Sequence, residues 1–464
     1  GRDALPRRDR RRGYWRVLRR HLNLRGEVTR MLLMALQDKR RRWNLIGFAP
    51  LLLMASAGQA STKHEAPAAP TVTPTVRIAV GPLGFMAPSD AYLQHRMAWA
   101  TLDFVDNSHL LFTFHSSGLM RRIPGDPADD EDQMIHAVVL EIATGKVTQQ
   151  ADWRMHDRQR YLWALQDGKF LVRQRNSLYL TDSSLELRPY LTFDTNLEAI
   201  EVSPGRTLMA IEVVKFLAPA AGESDTLGDV SGLLPPSLVS PGGTRQKRTE
   251  LVLVHPGDKK AVAAVQMRNP MDLPLLEDGF LGAMEGKEPK EWVIEKQLSG
   301  GDTEKIGEVK SLCRPDLVTL SANVALSENC PVNGADGYAV SALSMTGGVL
   351  WQGLWQSKYI WASFAVAENG SRFAYGSLET NRDVGRLDAF GEADVVAQPV
   401  GVFDTETGKL DVVKNATPIL SGAHNFALSA DGRRFAILRD GAIEVYDLPP
   451  VPVDATVKDK AEAK

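Results

Sequence analysis

Few residues in this chain have the type and spacing that chemistry requires. Cys313 and Cys330 are the only cysteines. They enclose RPDLVTLSANVALSEN, long enough to run out and back as a hairpin. An even cysteine count in an exported chain favours a bridge, which in the chain-entropy description contributes about 3 kcal/mol for a loop of this size. The alternative is a pair of buried thiols too far apart to join. Two cysteines make neither a thiolate metal cluster nor a redox CxxC. The nine histidines are scattered, and no HExxH, nucleophile elbow, Walker loop or dinucleotide fingerprint occurs. The sequence therefore predicts no catalytic residue, no metal and no cofactor. Asp126, Asp129, Asp130, Glu131 and Asp132 crowd together, whereas a calcium loop needs spaced ligands around a sharp glycine turn. They read as a solvated loop.

Two stretches have recognition chemistry instead. Trp351 and Trp355, in WQGLW, could present an aromatic rim to a sugar or peptide, while the other tryptophans are spread along the chain as packing residues would be. Leu233, Leu234 and Leu238 flank Pro235-Pro236 within the long Pro/Gly/Ser-rich segment 216–250. A connection of that length is either functional or disordered, and these leucines could dock onto a partner.

The elements that must position such residues recur. WATLDFVDNSHLLFTFHSSG, RYLWALQDGKFLVRQRNSLYLTDSS, LEAIEVSPGRTLMAIEVV, LPLLEDGFLGAMEG, SFAVAENGSRFAYGS and NFALSADGRRFAILRDGAIEVYDL each place an apolar run, a small polar turn and a second apolar run in succession. Third elements such as HAVVLEIATGKVTQQ and VGVFDTETGKLDVV follow several of them. Alternating apolar residues (Phe426 and Leu428, then Phe435 and Ile437) describe half-buried strands. Asp431-Gly432 and Asp440-Gly441 supply the left-handed residues of tight hairpins. The rhythm fits seven four-stranded units, near 98–150, 151–194, 195–267, 268–310, 311–356, 357–414 and 415–448. One such sheet cannot bury both faces, and radial stacking buries them while protecting edges. The last unit offers three strands, and TVRIAVGPLGF, residues 75–85, is free to supply the fourth and close the ring. The predicted fold is thus an all-β propeller over 75–448.

GAHNFALSADGRRFAILRDGAIEVYDL resembles a WD40 unit. Gly422 and His424 stand where its Gly-His falls, and Tyr446-Asp447 where its Trp-Asp falls; VGVFDTETGKL is similar to the end of a YVTN-type blade. The resemblance to the WD40/YVTN β-propeller superfamily implies a fold, and propellers host binding, scaffolding and enzymatic functions alike.

The front of the chain reads as an address. Residues 31–60 contain a basic stretch from Lys39 to Arg42, an apolar stretch from Asn44 to Met54, and small residues at Ala55-Ser56-Ala57 or Gly58-Gln59-Ala60, the three parts of a secretory signal. The apolar stretch is too short to span a bilayer, so no stable membrane insertion is expected after cleavage. Residues 1–30 read as a basic leader outside the mature chain, 61–74 as a flexible linker and 449–464 as a disordered tail. Residues 1–60 hold 15 of the 54 Lys and Arg but only 4 of the 57 Asp and Glu, which leaves the body at −14. An acidic body argues against phosphate-backbone binding, hence against nucleic acid. The expectation is a periplasmic or secreted monomer, a non-catalytic scaffold binding a protein, peptide or glycan on one propeller face. The alternative is an envelope hydrolase or lyase whose groups converge from several blade loops. Carboxylates meeting a His or Arg around a deep central channel would favour the enzyme.

Overall fold

Asp440 and Gly441 both lie in the left-handed region, at φ 47° and 71°. Two such residues in succession form a primed turn whose twist matches the strands it joins, and Arg439 faces Ala442 directly across it. Turns of this kind, repeated, fold the chain into successive antiparallel meanders.

The computed structural model describes residues 72–88, 100–116, 133–155, 160–217, 246–267, 274–333, 337–384, 388–389, 391–420 and 425–451. The first strand, β1 (Val76–Ala79), belongs to the last blade. Blade 1 is β2 (Ala100–Phe104), β3 (His109–His115), β4 (Gln133–Glu141) and β5 (Val147–Met155). Blade 2 is β6 (Leu162–Ala164), β7 (Phe170–Gln174), β8 (Ser177–Thr181) and β9 (Arg188–Thr192). Blade 3 is β10 (Leu197–Val202), β11 (Met209–Leu217), β12 (Gln246–Val254) and β13 (Ala263–Met267). Blade 4 is β14 (Gly279–Glu285), β15 (Glu291–Leu298) and β16 (Thr303–Lys310). Blade 5 is β17 (Asp316–Thr319), β18 (Val324–Asn329), β19 (Tyr338–Ser344) and β20 (Val349–Trp355). Blade 6 is β21 (Tyr359–Val366), β22 (Arg372–Thr380), β23 (Val395–Ala397), β24 (Pro399–Asp404) and β25 (Leu410–Asn415). Blade 7 is β26 (Phe426–Leu428), β27 (Arg434–Arg439) and β28 (Ala442–Asp447), to which β1 adds as fourth strand in the register Val76↔Val445 to Ala79↔Ala442.

The ring follows from where the core lies. Buried apolar residues fall into seven clusters, one for each seam. Leu102 and Phe112 of blade 1 meet Ala436 and Ile443 of blade 7. Leu111 and Trp153 meet Tyr161 and Phe170 between blades 1 and 2, and Trp163 meets Ile211 between blades 2 and 3. The remaining four seams are filled in the same way. Each blade therefore buries both faces against its two neighbours, as closure of the ring requires. Among the described residues helix is confined to three-residue 3-10 turns, and no helix is long and apolar enough to cross a membrane.

Two blades vary on the four-stranded pattern. Among the described residues the innermost strand of blade 4 is a single bridge, Leu275↔Phe280, beside Pro274, a residue that cannot donate to a ladder. Blade 6 gains β23 on β22 from the charged insertion at 377–399.

Candidate functional site

A cavity of about 340 Å³ runs where the seven innermost strands converge, and every blade contributes to its wall. The wall is two-sided. Blades 1 to 3 place Asp103, Arg160, Glu201 and Arg206 around it, whereas blades 4 to 7 contribute Leu275, Val318, Phe364, Val366, Phe426 and their neighbours.

Local structure fixes the charged half. Asp103 is the penultimate residue of an apolar inner strand, and the alternation that sends Leu102 and Phe104 into the seam with blade 7 turns it to the opposite face, where it joins the channel wall. Arg160 precedes β6. Its Nε donates to the Leu162 carbonyl at 3.2 Å, and its guanidinium lies 5.3 Å from the centre of the Trp163 ring, a cation–π distance. Behind it a buried hydroxyl chain runs from Thr101 to Thr113 (2.7 Å) and on to Tyr161 (2.6 Å). Arg206 sits at φ 60°, a left-handed conformation that costs a non-glycine residue on the order of 1 kcal/mol and is kept only where surroundings over-determine it. That backbone aims its side chain at the Leu165 carbonyl (3.2 Å) and, across the ring, at Glu368 of blade 6 (3.4 Å). Blades 3 and 6 are thus tied over the inner-turn mouth of the channel.

The electrostatics are those of charges short of water. Burial pushes the Asp103 carboxyl up to about 6, although Arg160 and Arg206 both pull it down. Burial also lowers Arg160, against the opposing pull of Glu201 and Asp103, so one guanidinium serves two carboxylates. Glu368 is raised by burial, with Arg206 opposing and Asp167 adding to the rise. On the other wall the Thr319 Oγ1 is buried without a hydrogen-bond partner.

Carboxylates and arginines therefore do converge on the channel. A nucleophile is another matter. The one serine on the wall, Ser203, donates its hydroxyl to Glu277 (2.7 Å) and accepts the Thr207 and Leu208 N–H groups at 3.1 and 3.0 Å. It is held as a turn brace. Among the described residues no three His, Cys, Asp or Glu side chains gather as a metal site would require.

Of the residues singled out in the sequence, those that the structure describes lie away from this channel. Trp351 stacks parallel on Phe373 and donates its indole N–H to the Thr405 carbonyl at 3.0 Å; Trp355 stacks on Tyr375 with ring centres 4.1 Å apart. Gly408 lets Trp351 in, since a Cβ there would meet the indole at 2.6 Å. Both rings thus face the seam between blades 5 and 6. Cys313 and Cys330 lie at disulfide distance, with Cα atoms 5.6 Å apart, at the start of blade 5. Leu233, Leu234 and Leu238, the acidic run 126–132, Gly422, His424 and the signal at 31–60 fall outside the described residues. Asp103, Arg160, Glu201, Arg206 and Thr319 escaped the sequence reading. The trace of Asp103 and Glu201 is a charge one residue before the end of an apolar inner strand, in ATLDF of blade 1 and LEAIEV of blade 3; Arg160, Arg206 and Thr319 left no such mark.

No protein-family model matches the chain, and no curated protein matches it by sequence. Solved structures do resemble it. The C-terminal WD40 domain of Sif2 is 9% identical with a TM-score of 0.38, covering 82% of this chain and 99% of that one. The β-propeller domain of the Trilobed protease from Pyrococcus furiosus is 9% identical with a TM-score of 0.41, covering 76% and 96%. An acylaminoacyl peptidase from Pyrococcus horikoshii is 11% identical with a TM-score of 0.44, covering 81% of this chain. The chain spans only 56% of that peptidase. The sheet topology and its seven seams define a seven-bladed β-propeller.

Proposed function

We propose that this chain is an exported, monomeric, non-catalytic binding scaffold that recognises a protein or peptide through the central channel of its propeller. The observation that carries the reading is the two-sided wall. Charged groups on one half and an apolar surface on the other suit a guest with a polar head and an apolar body, and the volume is at the low end of small-ligand sites. A glycan would use the polar half alone. Export rests on the signal-like order of residues 31–60 and on a cysteine pair suited to an oxidising compartment. A photo-crosslinking side chain at Thr319, inside the channel, and another at Val147, exposed on the outer strand of blade 1, test the face used. Partner adducts from 319 alone are expected, and adducts from 147 alone would overturn the channel reading.

The envelope hydrolase or lyase has one observation in its favour, the meeting of Asp103 and Glu201 with two arginines. Turnover of a bound partner, abolished by Asp103→Asn or Glu201→Gln while binding persists, would move the protein to that class.

A further inference from the structure

The charges on the channel wall balance, yet its hydrogen bonds do not. Asp103 and Glu201 stand with Arg160 and Arg206, two negative groups with two positive. Asp103 feels both arginines only through space: among the described residues it forms no hydrogen bond and no ion pair with either. The Arg160 side is equally open. Its Nε donates to the Leu162 carbonyl and its guanidinium lies against the Trp163 ring, while its two terminal nitrogens donate to no described residue. Arg206, by contrast, is directed onto the Leu165 carbonyl and Glu368. Asp103 and Arg160 are each half-buried and line the same cavity. A carboxylate and a guanidinium that attract without touching leave room for a group that touches both.

We infer, building on the binding reading above, that the channel takes an uncharged primary carboxamide on an apolar stem. Its N–H donates to the Asp103 carboxylate, and its carbonyl accepts from the terminal nitrogens of Arg160. The stem lies against Val318, Phe364, Val366 and Phe426 on the apolar wall. Neutrality selects this group. An ammonium would add a third positive charge beside Arg160 and Arg206, and a carboxylate a third negative one beside Asp103 and Glu201. Like charges at close range in a poorly solvated site repel strongly.

Hydrogen bonding narrows the choice further. A wholly apolar guest would strip water from Asp103 and Arg160 and return no hydrogen bond to either, which is unfavourable for charged groups above all. A hydroxyl both donates and accepts, but through one atom, and it cannot span two groups that stand apart. A carboxamide carries its donor and its acceptor on neighbouring atoms without a charge. The volume of about 340 Å³ suits the end of a side chain or a small molecule.

Calorimetric titration of the full chain tests this with five probes: n-hexanamide, and blocked Leu-X-Phe tripeptides in which X is Gln, norleucine, Lys or Glu. The Gln peptide is expected to bind at least tenfold tighter than each of the other three peptides, about the worth of one hydrogen bond to a charged group. Asp103→Leu and, separately, Arg160→Met should each reduce its advantage over the norleucine peptide about tenfold. Binding of n-hexanamide as tight as that of the Gln peptide would identify a free amide as the guest, and binding of the Gln peptide alone a peptide side chain. Equal or tighter binding of the norleucine, Lys or Glu peptide would overturn the carboxamide while leaving the channel as the site. An advantage of the Gln peptide that survives both variants would place the carboxamide elsewhere and overturn the inference. Failure of all five probes to bind would overturn the inference and the channel reading together. Should neither variant fold, the ranking on the parent chain decides, since any peptide other than Gln in first place sinks the carboxamide.

Discussion

Blades 7 and 4 solve the same problem with unequal means. Blade 7 draws strands from both ends of the described chain, so β1 and β28 lock the circle through a main-chain ladder. Its neighbours reinforce it. Asn107 of blade 1 donates to the Asp431 carboxylate at 3.0 Å, and Asn369 of blade 6 to the Asp431 carbonyl at 2.9 Å. Arg372 of blade 6, almost wholly buried, binds Asp411 at 2.7 Å and the Gly432 carbonyl at 2.8 Å. Among the described residues blade 4 has a single inner bridge, and its inner turn holds to blade 3 through the Glu277 side chain. Glu277 accepts the Gly205 N–H at 2.6 Å and the Ser203 and Thr207 hydroxyls. Closure is thus concentrated where the ring must join and thinned where the chain runs on continuously. Local opening is accordingly expected at blade 4, on the apolar wall of the channel, rather than at the joint.

Removing β1 should break this contrast most severely. Without residues up to Ala79, the ladder and the buried Ile78 are lost, and an edge strand is bared to aggregation. No cooperative melting transition is expected by circular dichroism. A truncated chain that melts like the parent would show that β1 is decoration. Arg372→Ala comes next. It strands Asp411 as a buried, unpaired charge, which costs about 3–5 kcal/mol, read as a lower urea midpoint. The pair Arg372→Met with Asp411→Leu should recover most of that, because two apolar residues leave no charge behind. Loss of less than about 1 kcal/mol in the single variant would place the strength of blade 7 in its ladder alone.

The difference between these blades also explains what could be read from the sequence. Blade 7 was legible because its order is local: Asp440-Gly441 states its turn, Phe435 and Ile437 state a face, and the spare strand at 75–85 had one vacancy to fill. The Thr-Gly pairs at 144–145, 346–347 and 407–408 carry the same kind of local signal, and their glycines all take positive φ. Blade 4's inner bridge was not legible, since LPLLEDGF has the apolar composition of a full strand and only pairing reveals that one bridge forms among its described residues. The channel was hidden by distance in sequence. Arg206 and Glu368 belong to blades with no local signal linking them, and Asp103 looks like a surface residue until the ring closes around it. Trp351 and Trp355 drew attention by type, yet their surroundings are set by Phe373 and Tyr375 of the next blade.

Smaller effects probe the thin side. Replacing both Cys313 and Cys330 with serine should cost about 3 kcal/mol through the freed loop. The bridge closes the start of blade 5, where the Ser311 Oγ accepts the Cys330 N–H at 2.9 Å, so amides following β16 should exchange faster while those of β27 do not. Glu277→Ala should cost about 1–3 kcal/mol, the price of leaving the Gly205 N–H and two hydroxyls without their acceptor. Faster hydrogen exchange over residues 203–208 and 275–281, with 426–447 unchanged, is the expected signature. Equal loosening of blade 7 would mean the ring opens as one unit and the contrast fails.

The smallest effect should come from the matching carboxylate of blade 7. Asp431 holds Asn107, the Ser429 hydroxyl (2.6 Å) and the Arg433 N–H (3.0 Å). Burial alone would raise its carboxyl, but these hydrogen bonds together hold it below the ordinary aspartate value of 3.8. A carboxyl depressed in the folded chain stabilises fully above its unfolded value and loses that contribution as pH falls through its folded one. Asp431 should therefore matter at every pH above about 4 and cease to matter in stronger acid. Asp431→Asn should lower the melting temperature by only a degree or two at pH 7, because β1 and Arg372 still hold the joint, and the parent and variant curves should converge below pH 4. A variant as damaging as Glu277→Ala would show that the joint relies on its turn after all, and that the ladder is not what makes blade 7 the firmer of the two.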